Sequence, residues 1–488
     1  MNKSVSIPLW LARESARSHG PTRNTAATLR VAAVVALIAK VLSLSNATLS
    51  VAAEPPQAAV PADLVELAGK PVGAGWAFAQ SPSVVKLDQH QGSWRLWRDG
   101  QPFFIRGAVG WTRFNELAAA GANAVRTGAN EKALDEAHRH GLGALAGLPL
   151  GIPRHGFDYA DTAKVAAQRE RIRQIVLKSK DHPALLCWNI GNEPTIFTPR
   201  EQRVPLWQEV NHLAELVKSL DPNHPIIAVV GGEQWREHIS ELDEFCPALD
   251  AVGLNAYADM LQLPEDLARQ NWKRPYLITE FGPRGHWQVT KTAWGARLED
   301  SSTEKAAFYR RTYEHAVQNR PQCLGSFAFL WGEKMEKTHT WYGMFLADGS
   351  RTEAVDVMQF LWTGKWPTNR CPTLATTKIQ LRKESGEPAT EPGVFAPGTK
   401  LHCSIETTEP DGDALKLDWD LRRDVADDPR VGGDYEPLEP AIQGAVLESK
   451  EQHTVIKLPD TPGKYRIFVY IRDGQGGAAT ANVPILTK

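Results

Sequence analysis

Residues Pro183 to Thr195 read PALLCWNIGNEPT. The apolar core of this stretch, 184–191, is too short for a helix and long enough for a strand buried on both faces. A helical pattern over 162–180 precedes it and another over 205–219 follows, so it is the strand of a strand–helix unit. The same unit recurs on both sides. Upstream, strands are predicted over 103–109, 123–127 and 142–148, with helices over 113–121, 131–141 and 162–180. Downstream, strands over 225–231, 249–257, 275–282 and 324–331 alternate with helices near 237–245, 264–270, 303–319 and 352–362. Short apolar strands separated by amphipathic helices predict a parallel sheet covered on both faces. Eight units in succession fit a closed (β/α)₈ barrel over 85–368. An open doubly wound sheet is the competing topology, but no Gly-rich phosphate loop follows strand one. A hairpin turning at Asp99-Gly100 leads into the barrel.

From Cys371 the pattern changes to period-two alternation with regularly spaced turn residues. That predicts an all-β sandwich over 369–488, with a likeness to Ig-like or PKD-like modules. Its acidic residues Asp411, Asp413 and Asp418 leave two readings open, a calcium site or a solvated turn. At the other end, Arg13, Arg17, Arg23 and Arg30 precede the apolar run VAAVVALIA (31–39), and small residues end at Ala53. That is the pattern of a cleaved secretory signal over 1–53, followed by a Pro/Ala-rich lead over 54–84, and it predicts a secreted or periplasmic protein. The apolar run is about half the roughly 20 residues a membrane span needs. No membrane span is therefore expected in the mature chain.

The chain of 488 residues has a net charge of −2, 16 Trp and 33 Pro. Loss of residues 1–53 removes six Lys/Arg and one Glu and makes the balance more acidic. An acidic surface offers nucleic acid no electrostatic footprint, and no nucleic-acid partner is expected. The five cysteines show no metal-ligand spacing, and no metal or organic cofactor is implied. Cys187, Cys246 and Cys323 read as buried thiols, whereas Cys371 and Cys403 are candidates for a disulfide after export. Oligomeric state is not encoded in any visible pattern.

Two glutamates close barrel strands. Glu193 lies just past strand four and Glu280 at the end of strand seven, both at the C-terminal strand face where barrel chemistry occurs. Either alone would read as a solvated loop charge. Two carboxylates on this face, each closing an apolar run, read as function.

The motif WNIGNEP (188–194) resembles the acid/base motif of retaining β-glycosidases built on (β/α)₈ barrels, particularly glycoside hydrolase family 2. LDAVGLNAY (249–257) and RPYLITEFG (274–282) resemble the strand-six and nucleophile segments of that family's β-glucuronidase-like branch. FFIRG on strand one and FAFLWG on strand eight extend the likeness over roughly 90–366. The resemblance implies a secreted retaining β-glycoside hydrolase acting on β-linked oligo- or polysaccharides. Glu193 is then the acid/base and Glu280 the nucleophile, about 5–5.5 Å apart in such enzymes. It further implies that Asn192 holds the sugar 2-hydroxyl, Arg126 keeps the nucleophile ionised, and Tyr257 hydrogen-bonds it. Trp331 would form the aromatic floor of the catalytic subsite, and Asn255 is either ligand or structural. Trp287, on the long loop 283–302, is a sugar-stacking candidate, as are Trp235, Trp294, Trp341 and Tyr342, against the alternative that they pack. Arg154 and His155 are placed to line a subsite.

Residues 54–84 leave no room for the large N-terminal sugar-binding jelly roll usual in the family. The Asn-x-Lys by which its glucuronidases read a sugar carboxylate is not evident after strand eight. Two alternatives stay open: a β-glycan transglycosidase, which shares the first chemical step, and a non-catalytic carbohydrate-binding protein.

Overall fold

The computed structural model describes residues 82–232, 235–375, 378–386, 393–425, 436 and 438–488. The expected signal segment, 1–53, and nearly all of the lead lie outside the described residues. A three-stranded antiparallel sheet comes first, formed by β1 (Val85–His90), β2 (Ser93–Arg98) and β3 (Gln101–Phe103). The β2–β3 turn is at Asp99-Gly100, with φ of 51° and 75°, the paired left-handed residues a tight hairpin requires. The sheet's first strand was not apparent in the sequence, because its outward positions are charged and exposed.

The barrel strands are β4 (Ile105–Val109), β5 (Ala124–Gly128), β6 (Gly143–Leu148), β7 (Leu185–Asn192), β8 (Ile226–Val230), β9 (Ala251–Asn255), β10 (Tyr276–Phe281) and β11 (Cys323–Ala328). They close in chain order, all parallel, with β11 returning to β4. The closed barrel therefore holds and the open sheet does not. The outer helices are α1 (Phe114–Ala119), α2 (Glu131–Arg139), α3 (Thr162–Ser179), α4 (Arg200–Leu220), α5 (Trp235–Phe245), α6 (Leu263–Arg269), α7 (Ser302–Ala316) and α8 (Glu353–Thr363).

Strand side chains divide between two cores. Leu145, Leu186, Ile227, Val229, Leu277 and Phe327 fill the barrel interior, while Val125, Trp188, Ile190 and Val252 pack outward against the helices. This two-sided burial is what makes the strands read as unbroken apolar runs. Helix α4 begins five residues before the expected start. Pro205 reads as a first-turn proline, but an extra turn precedes it, anchored by Arg203 to Glu237 and Glu241.

The C-terminal region is sheet-rich. One sheet has the order β12 (Arg351–Thr352), β22 (Gly477–Thr487), β21 (Gly463–Arg472), β18 (Lys416–Arg423), with β15 (Val394–Phe395) also on β22. The second has the order β14 (Gln380–Lys383), β16 (Lys400–Ser404), β20 (His453–Lys457), β19 (Val446–Lys450). A two-stranded pair, β13 (Thr373–Leu374) and β17 (Thr407–Thr408), completes the region, and the two larger sheets share one core that includes Leu401, Ile456, Leu421, Ile467 and Val469. The strand β12 belongs to the chain between β11 and α8, so the barrel's last loop is sewn into this sheet.

Further contacts tie loops seven and eight of the barrel to the same region. The Arg466 guanidinium donates to the carbonyl of Arg297, to Asn482 and to Asp424. Glu436 accepts from the backbone N–H of Lys337, His339 pairs with the Tyr470 hydroxyl, and Thr480 N–H donates to Ser302. Burial alone would raise the Glu299 carboxyl, but Lys305 and Arg466 outweigh it and hold that carboxyl below its usual range.

All five cysteines are buried free thiols, so the candidate Cys371–Cys403 disulfide is not formed. Cys371 Sγ donates to the carbonyl of Arg351 and Cys403 Sγ to that of Leu401. Among the described residues, no helix is long and apolar enough to cross a membrane.

Candidate active site

Both candidate carboxylates follow a β-bulge. The pairing of β7 with β8 shifts register between Ile190 and Asn192, and Gly191 there has φ 73°. The pairing of β10 with β9 shifts between Ile278 and Glu280. A bulge kinks a strand end and re-aims the next side chains, and here it turns Asn192, Glu193 and Glu280 towards the barrel mouth. Glu193 itself has φ 46°, a left-handed conformation that costs a non-glycine residue about 1–3 kcal/mol and is held only where surroundings dictate it. Its N–H donates to the carbonyl of Val229, and its own carbonyl accepts from Arg154 at 2.6 Å.

The two glutamates share one cleft of about 1490 Å³ with Arg126, Asn192, Asn255, Tyr257 and Trp287. Arg126 is the hub. One guanidinium nitrogen donates to Glu280 Oε1 at 2.8 Å, to the carbonyl of Thr279 at 3.0 Å and to Asn255 Oδ1 at 3.3 Å; the other donates to Asn192 Oδ1 at 2.6 Å. The Tyr257 hydroxyl donates to Glu280 Oε2 at 2.9 Å. Burial, with the charge of Glu280 next, raises the Tyr257 phenol well above its ordinary range, so it stays a donor.

Glu193 is set differently. Its Oε1 accepts from Asn255 Nδ2 at 2.9 Å. Burial first, then the negative charge of Glu280, push its carboxyl up to about 7 despite the opposing effect of Asn255, Arg126 and Arg154. Gly231 makes room for it, because a Cβ at that position would overlap Glu193 Oε1.

Asn255 is only 3% exposed and every hydrogen-bonding group of its side chain is engaged. Nδ2 donates to Asn192 and Glu193, while Oδ1 accepts from Arg126 and the Thr279 hydroxyl. Of the two expectations for this residue, the geometry is that of a scaffold spacing the carboxylates. Asn192 differs: Oδ1 is taken by Arg126 and Asn255, which leaves its Nδ2 for a ligand.

Trp331 is not where the sequence put it. Its indole is 1% exposed, donates to the carbonyl of Arg113, and packs on Phe345 and Trp362. The aromatic of strand eight that lines the cleft is Phe329, two residues earlier. Pairing ends at Ala328, so the period-two alternation of the strand no longer fixes the direction of Phe329 or Trp331. Trp287 lines the cleft with its ring edge-on to Tyr257 at 5.5 Å. Tyr342 lines it too, and its hydroxyl accepts from the N–H of His286. Trp235 and Trp341 are core residues, and Trp294 packs against Gly393 of the C-terminal region. Arg154 and His155 are on the cleft wall.

The cleft also holds residues not singled out from sequence: Trp111, Phe197, His286, Lys334 and Glu336. Glu336 lies between His286 at 3.4 Å and Lys334 at 3.2 Å.

Elsewhere, Asp413 lies with Glu409 and Asp473 in a carboxylate group. Asp411 accepts from the N–H of Arg370 and Asp418 pairs with Arg472, so the three aspartates singled out in the sequence are not gathered at one point.

Residues 115–292 match the family model described as glycosyl hydrolases family 2, TIM barrel domain. A β-glucuronidase of Paenibacillus borealis is 26% identical over 199 residues, which is 36% of this chain and 32% of that protein. The β-glucuronidase of Homo sapiens is 23% identical over 192 residues, 35% of this chain and 27% of that protein. The chain thus spans between about a quarter and a third of the length of the curated relatives it matches. Among solved structures, a Bacteroides uniformis β-glucuronidase covers 83% of this chain and 48% of its own, with TM-score 0.42 and 14% identity. That of Dictyoglomus thermophilum covers 58% and 54%, with TM-score 0.45 and 16% identity. The matched segment runs from the first barrel helix past Glu193 and Glu280, and over those residues the barrel is similar to the TIM barrel domains of glycosyl hydrolases family 2.

Proposed function

We propose that the chain is a retaining β-glycoside hydrolase that cleaves β-linked glycans by double displacement. The observation that carries this reading is the asymmetry of the two glutamates. Glu280 is gripped by the Arg126 guanidinium and the Tyr257 hydroxyl, which donate to its two carboxylate oxygens and hold them in place. Glu193, pushed up to about 7 by burial and by Glu280, is still protonated in a large fraction of molecules near neutral pH and in most of them below it. One carboxylate is prepared as a nucleophile and the other as an acid, the division of labour that retaining hydrolysis requires.

In the first step a Glu280 oxygen attacks the anomeric carbon. The bond to the leaving oxygen breaks, and that oxygen takes the Glu193 proton. The product is a glycosyl ester on Glu280. Esterification removes the negative charge beside Glu193, so the carboxylate left by proton transfer becomes stable as a base. In the second step it takes a proton from water, whose oxygen attacks the same carbon and releases Glu280. Asn192 Nδ2 is the group available to hold the sugar's 2-hydroxyl, while Asn255 and Arg126 keep the two carboxylates in register. Export is part of the proposal and rests on the pattern of residues 1–53.

The test is azide rescue. In Glu280→Ala a cavity opens opposite the leaving group, so azide should restore turnover of an activated aryl β-glycoside with an inverted glycosyl azide product. In Glu193→Ala the glycosyl-enzyme still forms from such substrates, and azide should give the retained product. Exchange of the two stereochemical outcomes in NMR of the adducts would swap the roles. Near-wild-type hydrolysis of natural glycans by either variant would refute the proposal.

A further inference from the structure

The cleft is larger than one sugar and its leaving group require. Pockets for single small ligands hold about 300–1,000 Å³, and this one holds about 1490 Å³. Two of its lining aromatics are exposed in a way that needs explanation. Trp111, just past strand β4, is 66% exposed, and Phe197, four residues past Glu193, is 90% exposed. A Phe ring left in water forgoes the burial that otherwise governs where such side chains sit.

Phe197 carries a second cost, because its backbone is left-handed, with φ 55°. The loop that imposes this is pinned on both sides of the ring. Thr195 Oγ1 bonds His238 Nδ1 at 3.0 Å, and Thr198 Oγ1 donates to the carbonyl of Pro194 at 3.2 Å. The carbonyl of Thr198 accepts from Arg203 at 3.1 Å, and Arg203 is locked to Glu241. Thr195, Thr198, Arg203 and His238 are all buried. The loop's fastenings are therefore inside while its one aromatic is held outside, over the cleft and next to the candidate acid.

We infer that Phe197 and Trp111 are stacking faces for sugar rings beyond the catalytic subsite, so that the substrate is a β-linked chain and not a short glycoside. Aromatic faces suit the apolar face of a pyranose ring, and stacking tolerates variation in which hydroxyls are present. The acid protonates the leaving oxygen, so Phe197, on the acid's own loop, takes a ring on the leaving-group side. This rests on the glycosidase reading and adds to it the length of the substrate and the residues that read it.

The experiment measures binding, so that it stands apart from catalysis. Calorimetric titration of the Glu280→Gln protein with β-linked oligosaccharides of two to six units, in gluco-, xylo-, manno- and uronate-containing series, should show affinity rising with length in at least one series. Adding Phe197→Ala or Trp111→Ala should lower affinity for the longest ligand by about tenfold while leaving the disaccharide within twofold, and Phe197→Tyr should keep the gain. Affinity independent of length in every series overturns the inference, as does an equal loss on short and long ligands. If length-dependent binding holds but Glu280→Ala still hydrolyses glycans, the stacking faces stand and the catalytic assignment falls.

Discussion

Glu193 should make the folded protein less stable as pH rises, and Glu193→Gln should relieve this while abolishing turnover of natural glycans. Its carboxyl is pushed from 4.5 to about 7 by burial and by the neighbouring charge of Glu280. Below about pH 4.5 the folded and unfolded chains both carry the proton, and Glu193 costs nothing. Between 4.5 and about 7 the unfolded chain has lost the proton that the folded chain retains, so stability falls steadily through this window. Above about 7 the full penalty applies. At 1.36 kcal/mol per pH unit the shift corresponds to about 3 kcal/mol. Part of it is shared with Glu280 and part is screened at the cleft, which leaves about 2 kcal/mol. Glutamine keeps the carbonyl that accepts from Asn255 Nδ2, so the bond survives the substitution. Thermal melts should show the variant about 4 °C above the wild type at pH 8.5, at about 2 °C per kcal/mol for a large domain, with the difference closing near pH 4.5. A difference that does not vary with pH, or a variant less stable at pH 8.5, would refute the electrostatic account of Glu193.

Tyr257→Phe removes one donor from Glu280 Oε2 and should lower kcat by about 10- to 100-fold, the range expected for a hydrogen bond to a charged group; unchanged kcat would show that the phenol is mere packing. Gly231→Ala places a methyl group against Glu193 Oε1, so the loss of kcat/KM should be greatest for poor leaving groups, which depend on the acid. Equal losses across a leaving-group series would place the effect elsewhere. Arg466→Leu removes the guanidinium that donates to Asp424, to Asn482 and to the carbonyl of Arg297 on loop seven. It should cost about 1.5–3 kcal/mol in thermal or denaturant unfolding, the range for a lost hydrogen bond to a charged group, and an unchanged melting profile would show that this contact does not brace the loop.

The barrel was legible because its strands are buried on both faces, so each reads as an apolar run and each helix shows its own period. The face carrying the glutamates followed from chain direction alone, since parallel strands share their C-terminal ends. Side-chain direction beyond a strand's last paired residue was not legible. Trp331 and Phe329 are both aromatic and both follow β11, yet only Phe329 faces the cleft. The same limit hid Trp111 and Phe197, because an exposed aromatic on a loop has no periodic pattern to mark it. Asn255 could be read as ligand or scaffold until its four hydrogen bonds were seen, all to residues distant in sequence.

The C-terminal region poses the reverse case: its strands were visible in the sequence, but its attachment was not. Short-range patterns carry no information on which barrel loops a following sheet will grip. In the structure it takes β12 from loop eight into its own sheet and holds the carbonyl of Arg297 on loop seven. Those two loops supply His286, Trp287, Lys334, Glu336 and Tyr342 to the cleft wall. Long loops without regular structure are costly to order from within. Loop 283–302 has a β-bridge from Lys291 to Arg297, hydrogen bonds from Gly295 to Thr292 and Leu298 to Thr290, and an Arg284–Asp300 ion pair of its own, and the sheet beside it adds the Arg466 contact. The loop that carries Trp287 to Tyr257 is thus braced from two sides, by its own hydrogen bonds and by a guanidinium that lies more than a hundred positions further along the chain.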